Sequence, residues 1–263
     1  MTKFWTIKNK EKDKRCEIYL YEVIGDDIFG DSTSAKDFID ALSDIPSDYA
    51  LDIHFNSPGG SVTDGIAIAT AIKARTGTTT AHIDALAASI ASLIAVSCDK
   101  VLIAPQAAIM IHRASTYVAG NTEDMSKASN LLAAYDAQIA SSYATKAGNE
   151  PNDWHEAMVA ETWYFGQSAI DAGLADEIIE DALSAAACLS PEQVAKMRFV
   201  NVPEAVIRAE SDTTPIIDDV EDESDDAEPA AEAADEVEAE QAEDEQTEET
   251  VRLESGIYTV RKE

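Results

Sequence analysis

The sequence predicts an α/β fold in which helices cover a largely parallel sheet. Strand-like alternation of apolar residues recurs between helical patterns, and a Gly-Gly turn joins one strand to a helix. This repeated order of strand and helix requires crossover connections, which are typical of parallel strands. A chain of 263 residues has room for one domain of roughly 200 residues with a sizeable core, plus extensions.

The first half of the chain alternates short strands with amphipathic helices. Strands are predicted at residues 4–7, 16–24, 51–55, 78–83, 100–103 and 108–111. Helices are predicted after a cap at residues 32–34, after a cap at Ser61 or Thr63, and from about Ser89. Each apolar stripe faces one side, so these helices are expected to pack on the sheet.

A long helical pattern at residues 122–146 dominates the second half. Its apolar residues recur every three or four positions, and Gly148 and Pro151 follow its end. At 1.5 Å per residue, such a helix extends about 35 to 40 Å, so it either projects towards a partner subunit or packs on its own domain. Helices at 152–160 and 167–172, a strand at 175–179 and a helix from Ser190 complete a predicted domain of residues 1–209.

The formal net charge of −32 is concentrated in one segment. Residues 210–250 contain 20 acidic and no basic residues. Such a segment buries too little apolar surface to fold, so we expect an acidic disordered tether. Residues 251–263 regain strand-like alternation and form a short segment of unknown role. Residues 1–209 show no basic face, so nucleic-acid binding is not expected.

Cysteine usage and hydropathy predict a cytoplasmic protein without membrane contact. The three cysteines lie far apart, and no Cys-x-x-Cys or His-rich spacing indicates a metal site, so reduced thiols and no metal are expected. The longest apolar run, residues 85–96, contains serines and is too short to span a bilayer. The first residues lack the apolar stretch of a signal peptide.

The candidate chemistry centres on Ser89. This serine lies among small and apolar residues at the expected start of a buried helix, where unpaired N–H groups favour negative charge. The run by itself also fits an ordinary helix packed on a sheet. Upstream, residues 56–60 (Asn-Ser-Pro-Gly-Gly) supply a flexible turn, and downstream residues 110–112 (Met-Ile-His) supply an imidazole.

These three motifs, in this order, resemble the Clp protease proteolytic subunit over residues 50–180. Gly60 precedes Ser89 by 29 positions, and His112 follows Ser89 by 23, which is similar to the family's spacing. The resemblance implies a Clp and crotonase-like fold of repeated strand-strand-helix units. It also implies serine endopeptidase activity, and a projecting handle helix that joins two rings of a homo-oligomer. Residues 25–39 resemble the Clp-related head maturation proteases of tailed bacteriophages more than the housekeeping Clp proteases. This second resemblance implies capsid and scaffold substrates.

The resemblance also implies roles for individual residues. Ser89 corresponds to the nucleophile and His112 to the general base, because a serine hydroxyl needs a base within about 3 Å. The backbone amides of Gly60 and Ile90 correspond to the oxyanion hole.

Glu161 stands at the position of the third triad member. The family usually has Asp there, and glutamate adds one methylene, so the contact with His112 requires a small backbone shift or another rotamer. Asp153 and Asp171 are the alternatives, and a dyad without an acid is a further possibility.

Two other functions stay open on the sequence. A crotonase-type enzyme would use the glycine-turn amides to polarise an acyl-CoA thioester, without needing Ser89 or His112. An inactive capsid assembly or scaffold component would work through its acidic segment. No Gly-x-x-x-x-Gly-Lys-Ser/Thr run is present, so ATP-driven unfolding would require a separate ATPase. The prediction is therefore a serine endopeptidase that needs no cofactor and is itself ATP-independent.

Overall fold

The computed structural model describes residues 3–25, 34–179, 189–207, 249–253 and 256–260. The chain divides into two compact units, Met1–Thr214 and Pro215–Glu263. The strands are β1 (Trp5–Lys10), β2 (Arg15–Leu20), β3 (Ala50–Ser57), β4 (Thr79–Ala88), β5 (Lys100–Ile103), β6 (Ala108–Ile111), β7 (Thr162–Phe165), β8 (Glu177–Ile178), β9 (Glu249–Leu253) and β10 (Gly256–Val260). The helices are α1 (Ala35–Ser43), α2 (Val62–Lys73), α3 (Ile90–Val96), α4 (Thr122–Ala147), α5 (Pro151–Val159), α6 (Gly166–Asp171) and α7 (Pro191–Met197).

The first unit is built on one mixed sheet of eight strands. Six strands follow the order β1-β2-β3-β4-β5-β8, and β6 pairs with both β4 and β7. The pairs β1 with β2 and β6 with β7 are antiparallel, and the other pairs are parallel. This arrangement confirms the predicted α/β class with a largely parallel sheet.

Strand β4 is longer than the sequence predicted. Its expected end was Ile83, but it continues to Ala88. Residues 80–83 pair with β5, whereas residues 86–88 pair with β6. The alanine-rich run 85–88 has no clear strand alternation, so it is the pairing with β3 on one side and β6 on the other that makes it extended. The extension carries Ser89 to the end of the strand, beside β6.

The principal core lies where helices cover the sheet, and α3 is buried over its whole length. Two hydrogen bonds fix this helix beneath Ser89. The Ser92 hydroxyl donates to the carbonyl oxygen of Ser89 at 2.5 Å and forms a 2.8 Å hydrogen bond with the hydroxyl of Tyr143 in α4. Burial raises the pKa of the Tyr143 phenol, so this group stays neutral. The start of α3 is therefore tied to α4.

A second, smaller core lies on the other face of β4. Side chains alternate along a strand, and Ala87 belongs to the principal core while Leu86 and Ala88 belong to the second. The segment 189–207, which contains α7, supplies buried residues to this second core, namely Leu189, Phe199 and Val206. The segment therefore packs against the strand that leads into Ser89.

Helix α4 ends one residue beyond its predicted end. Asn121 caps it by accepting from the amides of Glu123 and Asp124, and Gly148 ends it in the left-handed conformation, with φ 78°. Its buried residues all lie at position 136 or later, so its N-terminal half is not part of the core. The role of this helix as a handle between rings stays a prediction.

The second unit contains β9 and β10, which pair as antiparallel strands and overlap the residues that show strand-like alternation. The predicted acidic tether falls almost wholly on residues 210–248, which lie outside the described residues. None of the helices in the described ranges combines the length and apolar character needed to cross a bilayer.

Candidate active site

The segments that carry the three motifs meet at one edge of the sheet. Strands β3, β4 and β6 run in parallel, so their carboxyl ends lie at the same edge. The glycine turn follows β3, Ser89 follows β4, and His112 follows β6. Loops after the carboxyl ends of parallel strands converge in space, which is why this edge commonly holds the active site of α/β enzymes.

Ser89 lies at a sharp turn between β4 and α3. Its backbone angles are φ 54° and ψ −127°, a combination that residues with a Cβ seldom adopt. Two hydrogen bonds hold the turn: the Ser89 amide donates to the carbonyl oxygen of Met110 at 2.9 Å, and the Ser92 amide donates to that of Ser89 at 3.0 Å. The first bond joins Ser89 to β6, two residues before His112.

The Ser89 hydroxyl oxygen lies 2.7 Å from Nε2 of His112, which is a hydrogen bond. Burial lowers the pKa of His112 because it disfavours the imidazolium, while the carboxylates of Glu161 and Asp136 act in the opposite direction. The imidazole is therefore neutral near pH 7, and a neutral imidazole can accept a proton from the hydroxyl.

The glycine turn packs directly against the serine. Gly59 has φ +96°, and a Cβ placed on it would lie 2.6 Å from the Cβ of Ser89 and 3.2 Å from the Ile90 nitrogen. Gly60 has φ +154°, and its Cβ would lie 2.1 Å from the carbonyl oxygen of Ile24. Both positions require glycine because of these close approaches.

The Gly60 amide takes no part in the bridge between this turn and Ile24. The Ile24 amide donates to the carbonyl oxygen of Gly59, and the Ser61 amide donates to that of Ile24, both at 2.8 Å. Ile90 is the first residue of α3, so its amide has no acceptor within the helix. The two amides of the predicted oxyanion hole therefore lie in the backbone segments next to Ser89: the glycine turn that packs on it and the first residue of α3.

Glu161 lies between α5 and β7 in a left-handed conformation, with φ 49°, and is only 7% exposed. Its carboxylate accepts the Val200 amide at 2.8 Å on both oxygens and the Asn201 amide at 2.6 Å on Oε1. Among the residues that the structure describes, no carboxylate forms an ion pair or a hydrogen bond with His112. The Glu161 carboxylate raises the pKa of His112 by its charge, without a hydrogen bond to the ring.

Of the two alternative acids, Asp153 is exposed in the first turn of α5, and Asp171 is exposed in α6, where it accepts from the Gln167 side chain. Asp136 was not among the acids predicted from the sequence. It is 5% exposed and accepts at 2.8 Å from the amide of Ala114, which lies two residues after His112. A signal for it existed: Asp136 lies four positions after Leu132, on the apolar stripe of α4.

The profile of the family described as Clp protease matches residues 13–182. This match covers more than half of the chain and includes the glycine turn, Ser89, His112 and Glu161. The chain belongs to the Clp protease family.

Proteolytic subunits of Clp proteases are among the similar curated proteins. The chain is 30% identical over 131 residues to the ATP-dependent Clp protease proteolytic subunit 2 of Corynebacterium glutamicum, a match of 49% of this chain and 65% of that subunit. It is 32% identical over 129 residues to the ATP-dependent Clp protease proteolytic subunit 1 of Protochlamydia amoebophila, a match of 47% of this chain and 62% of that subunit. It is 28% identical over 148 residues to the ATP-dependent Clp protease proteolytic subunit of Streptococcus agalactiae, a match of 55% of this chain and 74% of that subunit.

Two of these matches span slightly less than two thirds of the relative's length. The Clp protease match ends at residue 182, so the segment 189–207 lies beyond it. Glu161 lies within the residues that match the family, whereas its hydrogen-bond donors Val200 and Asn201 lie in a segment beyond that match.

Proposed function

We propose that this chain is a serine endopeptidase of the Clp type. The observation that carries the proposal is the 2.7 Å hydrogen bond between Ser89 Oγ and His112 Nε2 at a strained strand-to-helix turn. His112 takes the hydroxyl proton as Ser89 attacks a peptide carbonyl, and then gives that proton to the leaving amine. A water molecule then gives a proton to the same imidazole and attacks the acyl carbonyl. The ester bond to Ser89 Oγ breaks, and the imidazolium returns the proton to that oxygen.

The amides of Gly60 and Ile90 are proposed to bind the oxyanion of the tetrahedral intermediate. The contact of the glycine turn with Ser89 and the position of Ile90 at the start of α3 support this role. Glu161 is proposed to stabilise the imidazolium by its charge. The hydrogen bond to His112 also favours a peptidase over an acyl-CoA enzyme, which would need neither Ser89 nor His112.

Active-site labelling tests this function. The full chain is incubated with a fluorophosphonate probe, and the adduct is located by mass spectrometry. We expect an adduct on Ser89 only, and none in the Ser89→Ala or His112→Ala variants. Ser97→Ala is the matched control, because Ser97 closes the same helix and should leave labelling unchanged. An adduct on Ser92 or Ser97 of the wild type would contradict the assignment.

The substrates are proposed to be capsid and scaffold proteins of an immature phage head, in the cytoplasm of a bacterial host. The resemblance of residues 25–39 to phage head maturation proteases supports this, although residues 26–33 fall outside the described ranges. The purified chain is mixed with capsid and scaffold proteins from the same genome, and new termini are identified by mass spectrometry. If the capsid and scaffold proteins stay uncleaved while the probe still labels Ser89, the proposed substrate class is refuted but the proposed peptidase activity is not.

Assembly is proposed to occur through the N-terminal half of α4. Met125 is 40% and Leu131 54% exposed there, and apolar side chains on an exposed helix are commonly covered by a partner subunit. Light scattering should show an oligomer that Leu131→Glu dissociates. Val159→Glu, at a similarly exposed apolar position on α5, is the control and should not dissociate it. A wild-type monomer at working concentration would refute this route.

A further inference from the structure

The segment that follows α7 reaches the candidate dyad. Arg198 ends α7 in a left-handed conformation, with φ 56°, and the turn delivers Phe199 to the site. The rings of Phe199 and His112 meet edge to face, with centroids 5.4 Å apart and planes at 79°. The ring of Trp163 also meets Phe199 edge to face, with ring centroids 6.1 Å apart and planes at 89°. Phe199 is only 7% exposed, so its side chain is buried.

Hydrogen bonds on the C-terminal side hold Phe199 in place. The amides of Val200 and Asn201 donate to the Glu161 carboxylate, and the Asn201 side chain donates to the carbonyl oxygen of Ala160 at 2.8 Å. These bonds tie the turn to the start of β7. Phe199 therefore occupies a fixed position against His112.

Packing further along the segment adds to this anchoring. Leu189 and Val206 are buried in the second core, and the Leu189 amide donates to the carbonyl oxygen of Val206 at 2.7 Å. The Arg198 guanidinium lies 3.8 Å from the centre of the Tyr117 ring, in the loop after His112. Both ends of the segment 189–207 are thus attached to the unit that carries the dyad.

The orientation of an imidazole needs a physical cause. Rotation about its χ2 is broad and roughly two-fold, so a ring without restraint does not keep one nitrogen at the nucleophile. In serine hydrolases a carboxylate hydrogen bonded to Nδ1 usually supplies this restraint. In the part of the chain described by the structure, no carboxylate makes that bond with His112, so packing has to hold the ring.

We propose that Phe199 is a positioning residue for His112: its ring fixes the plane of the imidazole, keeps Nε2 at Ser89 Oγ, and excludes water from the base. This inference rests on the proposed peptidase function. It gives the segment beyond the family match a role in catalysis, exerted through the general base and not through contact with substrate.

Charged groups around His112 do not account for the lowered pKa of this residue. The carboxylates of Glu161, between α5 and β7, and Asp136, in α4, both raise it, and burial outweighs them. Arg113 follows His112 in the chain, and the guanidinium of Arg198 is stacked on Tyr117. Phe199 supplies part of the burial, so its removal should raise the pKa of His112.

An NMR titration of the full chain tests the role of Phe199. The protein has four histidines, which are labelled with ¹³C at Cε1, and the His112 signal is assigned by its loss in His112→Gln. We expect Phe199→Ala and Phe199→Leu to raise the pKa of His112. The same variants should slow acylation of Ser89 about 10-fold to 100-fold, with little change in KM, because the base is misplaced. Phe199→Trp keeps an aromatic ring at this position, so its pKa of His112 and its acylation rate should lie closer to the wild-type values than those of the other two variants.

Val206→Ala is the matched control. Val206 is buried in the same second core and belongs to the same segment, but it lies outside the ring contact with His112. We expect it to reduce stability and to leave the pKa of His112 unchanged. This control separates the position of one ring from general loosening of the segment.

Three results would overturn the inference. An unchanged pKa of His112 in both Phe199 variants would show that the ring does not shield the base. An equal shift in Val206→Ala would assign the effect to the segment as a whole. Faster acylation in the Phe199 variants would mean that the segment obstructs the site. A wild-type chain that is not labelled at Ser89 would refute the peptidase instead, and the titration would still report on Phe199.

Discussion

Substitution of Glu161 by Gln should destabilise the first unit through the turn at residues 200–201. The carboxylate is buried and is the acceptor for two consecutive backbone amides, Val200 and Asn201. Glutamine keeps one acceptor oxygen, and its NH₂ group would face one of these N–H donors. One charge-assisted bond is lost and the other becomes a neutral bond.

The magnitude follows from these two bonds. A hydrogen bond to a charged group contributes about 1.5 to 3 kcal/mol, and a neutral one about 1 kcal/mol. Losing one charged bond and turning the other into a neutral bond predicts a decrease of about 2 to 5 kcal/mol in the free energy of unfolding. In a domain of 150 to 250 residues, each kcal/mol lowers the melting temperature by about 2 to 4 °C, so the expected decrease is roughly 4 to 20 °C.

Calorimetry on the full chain measures this decrease. Asp171→Asn is the matched control, because Asp171 is exposed and accepts only from the Gln167 side chain, so its change should stay within about 0.5 kcal/mol. Glu161→Asp keeps the charge, and its effect should fall between the two. If Glu161→Gln melts within about 2 °C of the wild type, these hydrogen bonds do not stabilise the fold, and the reasoning is refuted.

Three further predictions concern the base, the glycine turn and the C-terminal part. Burial lowers the pKa of His112, and only the neutral imidazole acts as a base, so the labelling rate should fall with decreasing pH at a midpoint below about 6.5; a midpoint above 7 would contradict this. Gly59→Ala should abolish labelling of Ser89 and lower the melting temperature, whereas Gly148→Ala, also at positive φ but with open space around the added Cβ, should only lower the melting temperature slightly. Deletion of residues 210–263 should change the melting temperature by only a few degrees; a large decrease would show that this part packs on the first unit.

Local sequence signals predicted several elements of the fold. The ends of α4 were expected within one residue, because Asn121 and Gly148 satisfy backbone groups of the helix without help from distant residues. Ser61 and Ser190 cap α2 and α7 in the same way, by accepting from amides three residues later. Such capping depends on a few neighbouring residues, so it can be read from the sequence.

The motifs around Ser89 and His112 were also evident in the sequence, together with the family to which they belong. Their spacing along the chain does not place the two side chains 2.7 Å apart, however. The pairing of β4 with β6 does so. Together with the pairing to β3, it also extends β4 to Ala88 across alanines that have no strong preference of their own. Strand pairing thus decided how the motifs come together.

The surroundings of the dyad depend on contacts that no local pattern contains. The Glu161 carboxylate bonds to Val200, 39 positions away, and His112 packs against Phe199, 87 positions away. The sequence by itself determined the fold class, the family and the candidate nucleophile and base, because these depend on periodicity and on short motifs. Only the tertiary structure decided the partners of Glu161 and the packing of the imidazole, because these depend on where the chain returns after leaving the sheet.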